Sequence, residues 1–260
     1  MRNKLFILTA ALILLLGSYF FISQKNSLAE VHINKIIDGD TYKTSSGKTI
    51  RVLGVDCPEI DWEKGKGEYF AFKAKEFAED KILDKKVELE FDTEKEDKYG
   101  RLLAYIYLND SEMFNLQLLQ EGYANLMIIP PNKRYEAEFK ETAKRARREK
   151  TGIWSKIEYY QDQVEVISWQ NADSYVNEIV IVKGKIESTY SSDKVTYLNF
   201  SENYNEDFAV VIFNEDLIKF DYNPAEYLEG KEVKVLGKIE VYKNVPEIVL
   251  DKPYNIIVVE

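Results

Sequence analysis

Four carboxylates and two arginines decide what chemistry this sequence can do. Asp38, Asp40, Asp56 and Glu59 sit at the two ends of the stretch from Ile37 to Glu59. Between them run two apolar-alternating segments joined by Ser45-Ser46-Gly47, the pattern of a tight β-hairpin. Folding that hairpin brings its far ends together, so three or four acids converge on one point. Such crowding repels unless something positive stands among the acids, and a hard cation bound through oxygens is the economical answer. Arg51 lies within the second segment and can face the same cleft. A further run, Asp97-Lys98-Tyr99-Gly100-Arg101, suggests a tight turn at Gly100 that carries Arg101 to the mouth of the same fold. Two guanidiniums beside a carboxylate-bound cation suit a phosphodiester. They offer paired donors to phosphate oxygens on which charge develops during in-line displacement. The cation neutralises further charge and helps orient the attacking water.

Elimination strengthens this reading. The chain has one cysteine, Cys57, and one histidine, His32. An intramolecular disulfide, a cysteine-cluster metal site, a multi-histidine zinc site and histidine-pair acid–base catalysis are all excluded. Hydrolytic chemistry must run on carboxylates, Arg, Lys, Tyr and an oxygen-loving metal.

The elements that must position these residues follow from the pattern of the chain. Val31–Ile37 is expected as a first strand, the hairpin as two more, then a charged loop over Ile60–Gly67 and an amphipathic helix over Glu68–Ile82. Val87–Phe91 and Arg101–Leu108 follow as strands four and five, around the charged turn Asp92–Gly100. A short helix, Phe114–Gln120, is stopped by Gly122, and a long helix over Asn132–Lys150 ends at Gly152. Its basic end, Lys144, Arg145, Arg147, Arg148 and Lys150, is expected as a solvated face that complements the helix dipole. The expected class is mainly β with α (α+β). Three strands, a helix and two strands make a five-stranded Greek-key barrel of the OB type, with the later helices packed outside.

Three motifs, Ile37-Asp38-Gly39-Asp40-Thr41, Arg51-Val52-Leu53-Gly54-Val55-Asp56-Cys57-Pro58-Glu59 and Asp97-Lys98-Tyr99-Gly100-Arg101, occur in register. Together they resemble the staphylococcal nuclease (thermonuclease) family over residues 31–155. The resemblance implies a calcium-dependent nuclease that cuts DNA and RNA with little sequence preference and leaves 3′-phosphate ends. Asp40 and Asp56 match its Ca2+ carboxylates, the backbone carbonyl of Cys57 a further ligand, and Asp38 an acid acting through water. Glu59 matches the carboxylate that orients or deprotonates the attacking water. Arg51 and Arg101 match the two phosphate-binding arginines, and Lys98 and Tyr99 match residues near the terminal phosphate of a bound nucleotide. Two departures stand out. Cys57 replaces a common threonine, and Asn125–Pro131 lacks the tyrosines that stack on the base.

The rest of the chain frames this unit. Arg2 and Lys4 precede an uncharged apolar run, Leu5–Ile22, of roughly 27 Å as a helix. That is an export signal, either an uncleaved membrane anchor or a peptide cleaved near Ser27-Leu28-Ala29, and it puts the remainder outside the cytoplasm. Residues 156–175 are expected as a linker and 176–260 as a second OB-like barrel, an accessory domain whose Gly230-Lys231-Glu232-Val233-Lys234-Val235 and Pro246-Glu247-Ile248 resemble nucleic-acid-binding OB domains of the anticodon-binding type. Residues 156–260 hold 10 Lys/Arg against 20 Asp/Glu, a poor footprint for tracking a phosphate backbone, so this barrel's partner stays open. Its aromatics Tyr197, Phe200, Phe208 and Tyr242 are either a stacking platform or core, and alternation along strands favours core. The expected protein is a monomer whose substrate is DNA or RNA. The rival readings are a non-catalytic surface module that binds nucleic acid or protein on a nuclease-like fold, and a cytoplasmic RNA-processing factor.

Overall fold

A computed structural model of the chain describes residues 28–109, 112–203 and 207–259. The N-terminal apolar run, with its anchor-or-signal reading, lies outside them.

The first half is built on β1 (Ala29–Ile36), β2 (Thr41–Thr44) and β3 (Thr49–Val52). Short ribbons follow, β4 (Gly54–Asp56), β5 (Ile60–Asp61) and β6 (Lys66–Gly67), then helix α1 (Ala71–Ile82). Strands β7 (Lys86–Glu96) and β8 (Leu102–Tyr107) complete a closed barrel in the order β1-β2-β3-β8-β7. This is the five-stranded barrel the sequence leads one to expect. Its inward residues, among them Ile33, Tyr42, Ile50, Leu89, Ala104 and Ile106, are fully buried. Outside the barrel lie α2 (Phe114–Gln120), β9 (Asn125–Met127) and α3 (Glu136–Arg148). Buried Asn115 ties α2 to the barrel. It accepts from the Ile106 N–H at 2.8 Å and donates to the Leu53 carbonyl at 2.8 Å.

The expected hairpin exists, but its second strand does not run on to Asp56. It breaks after Val52, and Gly54 turns the chain with a φ of +80°, a conformation that suits glycine. The following β4 leaves the barrel and pairs with β9, setting Asp56 opposite Asn125. The break re-aims Asp56 back toward the barrel end that carries Asp40.

The second half comprises α4 (Lys156–Tyr160), β10 (Val166–Ser168), β11 (Ile179–Lys185), β12 (Ser188–Ser191), β13 (Val195–Asn199), β14 (Ala209–Phe213) and α5 (Pro224–Leu228). It ends with β15 (Glu232–Lys238), β16 (Glu240–Tyr242), β17 (Val245–Val249) and β18 (Ile256–Val258). Its strands are arranged in two sheets, β10-β11-β15-β18 and β12-β13-β14-β17-β16, consistent with the expected OB-like β-rich unit. Both contribute to one core: Val180, Val182, Val233 and Val235 from the first meet Leu198, Val210, Ile212 and Ile248 from the second. Phe200 and Phe208 belong to this core, whereas Tyr242 is exposed. Residues 156–175 are no free linker. Ile157 is fully buried against Ile181 and Leu236, and residues 169–175 form a 3-10 turn. Their weak periodicity hid this, because short helices packed on a neighbour need only one or two apolar anchors.

Candidate active site

Glycine at position 39 is a steric requirement. A Cβ there would stand 2.6 Å from Cys57 Sγ and 2.8 Å from the Ala74 side chain. The loop before β2 therefore closes on the β4 exit, and Asp38 and Asp40 meet the segment that carries Asp56, Cys57 and Glu59. Asp40 is buried and spans the junction. One carboxylate oxygen accepts from the Cys57 N–H at 2.7 Å, and the other accepts from the Thr41 hydroxyl at 3.0 Å. Asp38 accepts from the Asp40 N–H at 3.1 Å.

Arg51 is the hub. It pairs across the sheet with Thr41, the residue after Asp40. Its guanidinium makes an ion pair with Asp40 and donates to Asp56 Oδ1 at 2.9 Å. Burial opposes its charge, but the two aspartates outweigh that and hold it firmly protonated. The acids feel one another in turn. Burial first, then Asp40, raises Asp38 to about 7. Burial, and then the neighbouring aspartates, also push Glu59 above its usual range, and burial raises Asp56. Glu59 itself is exposed at the rim.

The parallel register of β3 and β8 sets Arg51 beside Leu103, and strand alternation puts Arg101 on the same face. Arg51, Leu103 and Arg101 line one cavity of about 630 Å³ together with Lys98, Tyr99, Met127 and Ile129. The turn expected at Gly100 is present, with φ +76°. Asp97 organises it, accepting from the Tyr99 and Arg101 N–H groups and from Arg101 Nε at 2.7 Å. Tyr99 is 72% exposed and Ile129 55% exposed at the cavity edge, Ile129 lying within the Asn125–Pro131 stretch that lacks tyrosines. Arg51 thus joins two groups, the acid cluster on one side and the cavity with Arg101, Lys98 and Tyr99 on the other. His32 lies apart, hydrogen-bonded to Ser45.

A family model, that of the staphylococcal nuclease homologues, matches residues 49–156. The thermonuclease of Staphylococcus intermedius is 35% identical over 127 residues, spanning 48% of this chain and 75% of that protein. The chain belongs to the staphylococcal nuclease homologue family. The thermonuclease of Staphylococcus hyicus is 36% identical over 124 residues, covering 46% of this chain and 73% of the relative. Endonuclease YncB of Bacillus subtilis is 36% identical over 140 residues, 52% of this chain and 66% of its own length.

The family is associated with calcium, and the donor set can be tested against that. Asp38, Asp40 and Asp56 offer hard oxygens, and the upward shifts of Asp38 and Asp56 show acids that gain from a nearby positive charge. The donors fit a hard divalent ion in kind. Among the described residues, however, no three acid, imidazole or thiol side chains stand as a ready-made cage, since Arg51 bridges Asp40 and Asp56.

Two residues near the acids carry no local signal, Lys252 from far along the chain and Glu68 from the start of the segment leading into α1. Lys252 Nζ lies 3.9 Å from Asp56 Oδ2 and 3.6 Å from Glu68 Oε2. Glu68 in turn accepts from the Glu59 N–H at 3.1 Å. Only the tertiary fold reveals either.

Proposed function

We propose that this chain is a calcium-dependent nuclease that hydrolyses DNA and RNA to 3′-phosphate ends outside the cytoplasm. Family membership supports hydrolysis of phosphodiester bonds. The observation that carries the reading is Arg51, held by Asp40 and Asp56 while lining the same cavity as Arg101. In that cavity the scissile phosphate binds between the two guanidiniums, which stabilise the charge growing on its oxygens. Glu59, exposed and with its proton affinity raised, takes the proton of the attacking water. Asp38, Asp40, Asp56 and the Cys57 carbonyl would hold Ca2+, which supplies charge neutralisation when bound. Lys98 and Tyr99, which line the same cavity, would meet the terminal phosphate of a bound nucleotide, and Tyr99 with Ile129 offers an apolar edge to a base. The N-terminal apolar run supports action beyond the membrane, either anchored or released. The C-terminal region is an accessory domain of OB-like character that positions the enzyme or binds a partner of its own.

The test is end analysis of digested single-stranded DNA and RNA. Products that accept phosphatase-dependent 3′ extension, from both polymers, are expected; 5′-phosphate products would overturn the assigned direction of attack.

A second reading, a non-catalytic binding module, draws on one observation: the bridge that commits Arg51 to two acids. Under it, Asp40→Ala and Glu59→Ala would bind nucleic acid like the parent, and the parent would cut no faster than they do.

A further inference from the structure

The family match ends at residue 156, yet the acid cluster is walled partly by residues far beyond it. Two turns of the C-terminal region reach it. Lys252 precedes the 3-10 turn Pro253–Asn255, and its side chain is only 14% exposed. Its ammonium faces Asp56 Oδ2 at 3.9 Å and Glu68 Oε2 at 3.6 Å. The turn that carries it is fixed from several sides. Lys219 bonds Asp216 at 2.7 Å and the Asp251 carbonyl at 3.2 Å. Asn125, directly opposite Asp56, donates to the Lys219 carbonyl at 2.9 Å. Tyr254 packs edge-on against buried Trp154, with ring centres 6.2 Å apart. Asp56 is therefore held at both oxygens, by Arg51 from the barrel and by Lys252 from the other half of the chain. Through Glu68, which accepts from the Glu59 N–H, the same ammonium braces the backbone that carries Glu59.

We propose that Lys252 is a positioning residue of the nuclease site, delivered by the C-terminal region to hold Asp56 and the Glu59 segment and to limit how tightly the acid cluster takes a divalent cation. The proposal rests on the nuclease reading above. A fixed ammonium beside a carboxylate that must also serve a divalent ion repels that ion, and the screening there is weaker than in bulk water. Asp56 must share its second oxygen with Lys252 or release it. A neutral side chain at 252 removes the repulsion and tightens cation binding, but it frees Asp56 and Glu59 to wander and so slows turnover. Arginine at 252 restores both.

The experiment titrates Ca2+ alone, by calorimetry at low and high salt, into the full chain and its Lys252→Met, Lys252→Gln and Lys252→Arg variants. Thermal melts in chelator check that each folds. Lys252→Met and Lys252→Gln are expected to bind Ca2+ about tenfold more tightly than the parent at low salt, with the gap narrowing at high salt. Lys252→Arg is expected to match the parent. In nuclease assays the neutral variants lose kcat more than KM. If folded neutral variants bind Ca2+ no more tightly than the parent, the role assigned to Lys252 is wrong while the nuclease reading stands. A parent chain that binds no Ca2+ at all overturns the cation reading of the site, and this proposal with it.

Discussion

Asp38 stands where three effects meet: burial, the charge of Asp40 and the opposing field of Arg51. Its carboxyl is raised to about 7 in the folded chain, against about 3.9 in an unfolded one. Between those values the folded state holds the extra proton, so this group's contribution favours folding at acidic pH and is lost as pH rises through 7. In chelator, the melting temperature of the parent should therefore fall from pH 5 to pH 8. Asp38→Asn should flatten that slope and, at pH 8, gain roughly 1–2 kcal/mol after allowance for partial exposure. A parent slope that Asp38→Asn leaves intact would mean that the acid cluster is not what titrates. The residues nearer the chemistry separate by role. Under the proposed mechanism Arg101→Ala removes one phosphate donor pair and Glu59→Gln the proton acceptor, and each should lower kcat by about 10²–10⁴-fold. Neither should move the melting temperature by more than a few degrees, because Glu59 is exposed and the Arg101 bonds are to Asp97 of its own turn. A large loss of stability in either variant would reassign that residue to the framework.

Among the elements, the loop before β2 and the exit from β3 do most to build the site, and both depend on glycine. Gly39→Ala forces its methyl against Cys57 and Ala74, which overpacks the junction at a cost of about 1–3 kcal/mol. A chemical-denaturation midpoint that does not move would refute the close approach. Helix α3 was expected to show a solvated basic face, and it departs from that in one residue. Arg147 forms a two-pronged pair with Asp221, at 2.9 Å on each arm, and lies 4.5 Å from the Tyr222 ring. Asp221 is almost wholly enclosed, so Arg147→Met strands a buried charge. The expected loss is on the order of 2–3 kcal/mol, with much of it recovered when Asp221→Asn is added. Equal melting of the single and double variants would show that the pair is not coupled. This clamp and the Trp154–Tyr254 contact carry the C-terminal region onto the barrel. No local pattern announces such a contact, because a basic helix end looks the same whether it faces water or an aspartate.

On the scale of the whole molecule, the barrel was legible because each strand carries its own alternation and its own turn signals. The acids and arginines were legible because Asp-Gly-Asp, Arg51 and Asp97–Arg101 lie in local motifs. The break at Gly54 was not legible: periodicity continues through it, and only the φ of +80° redirects the chain. Strands β9, β10 and β12 are three or four residues long, too short to impose a pattern. Lys219 and Lys252 were hidden for a deeper reason. Lys252 meets the acids, and Lys219 steadies its turn, only through the docking of two halves, and an acidic C-terminal half argues from its net charge against the very place where its lysines matter. That the protein is a cation-dependent nuclease, with the acid cluster and Arg51 at its centre, is tested most directly by following cleavage of DNA by the purified full chain as Ca2+ is removed and returned. Chelator should abolish cutting, added Ca2+ should restore it to the parent, and Asp40→Ala should stay inactive throughout. Cutting that persists in excess chelator, or that survives Asp40→Ala, would contradict the assignment.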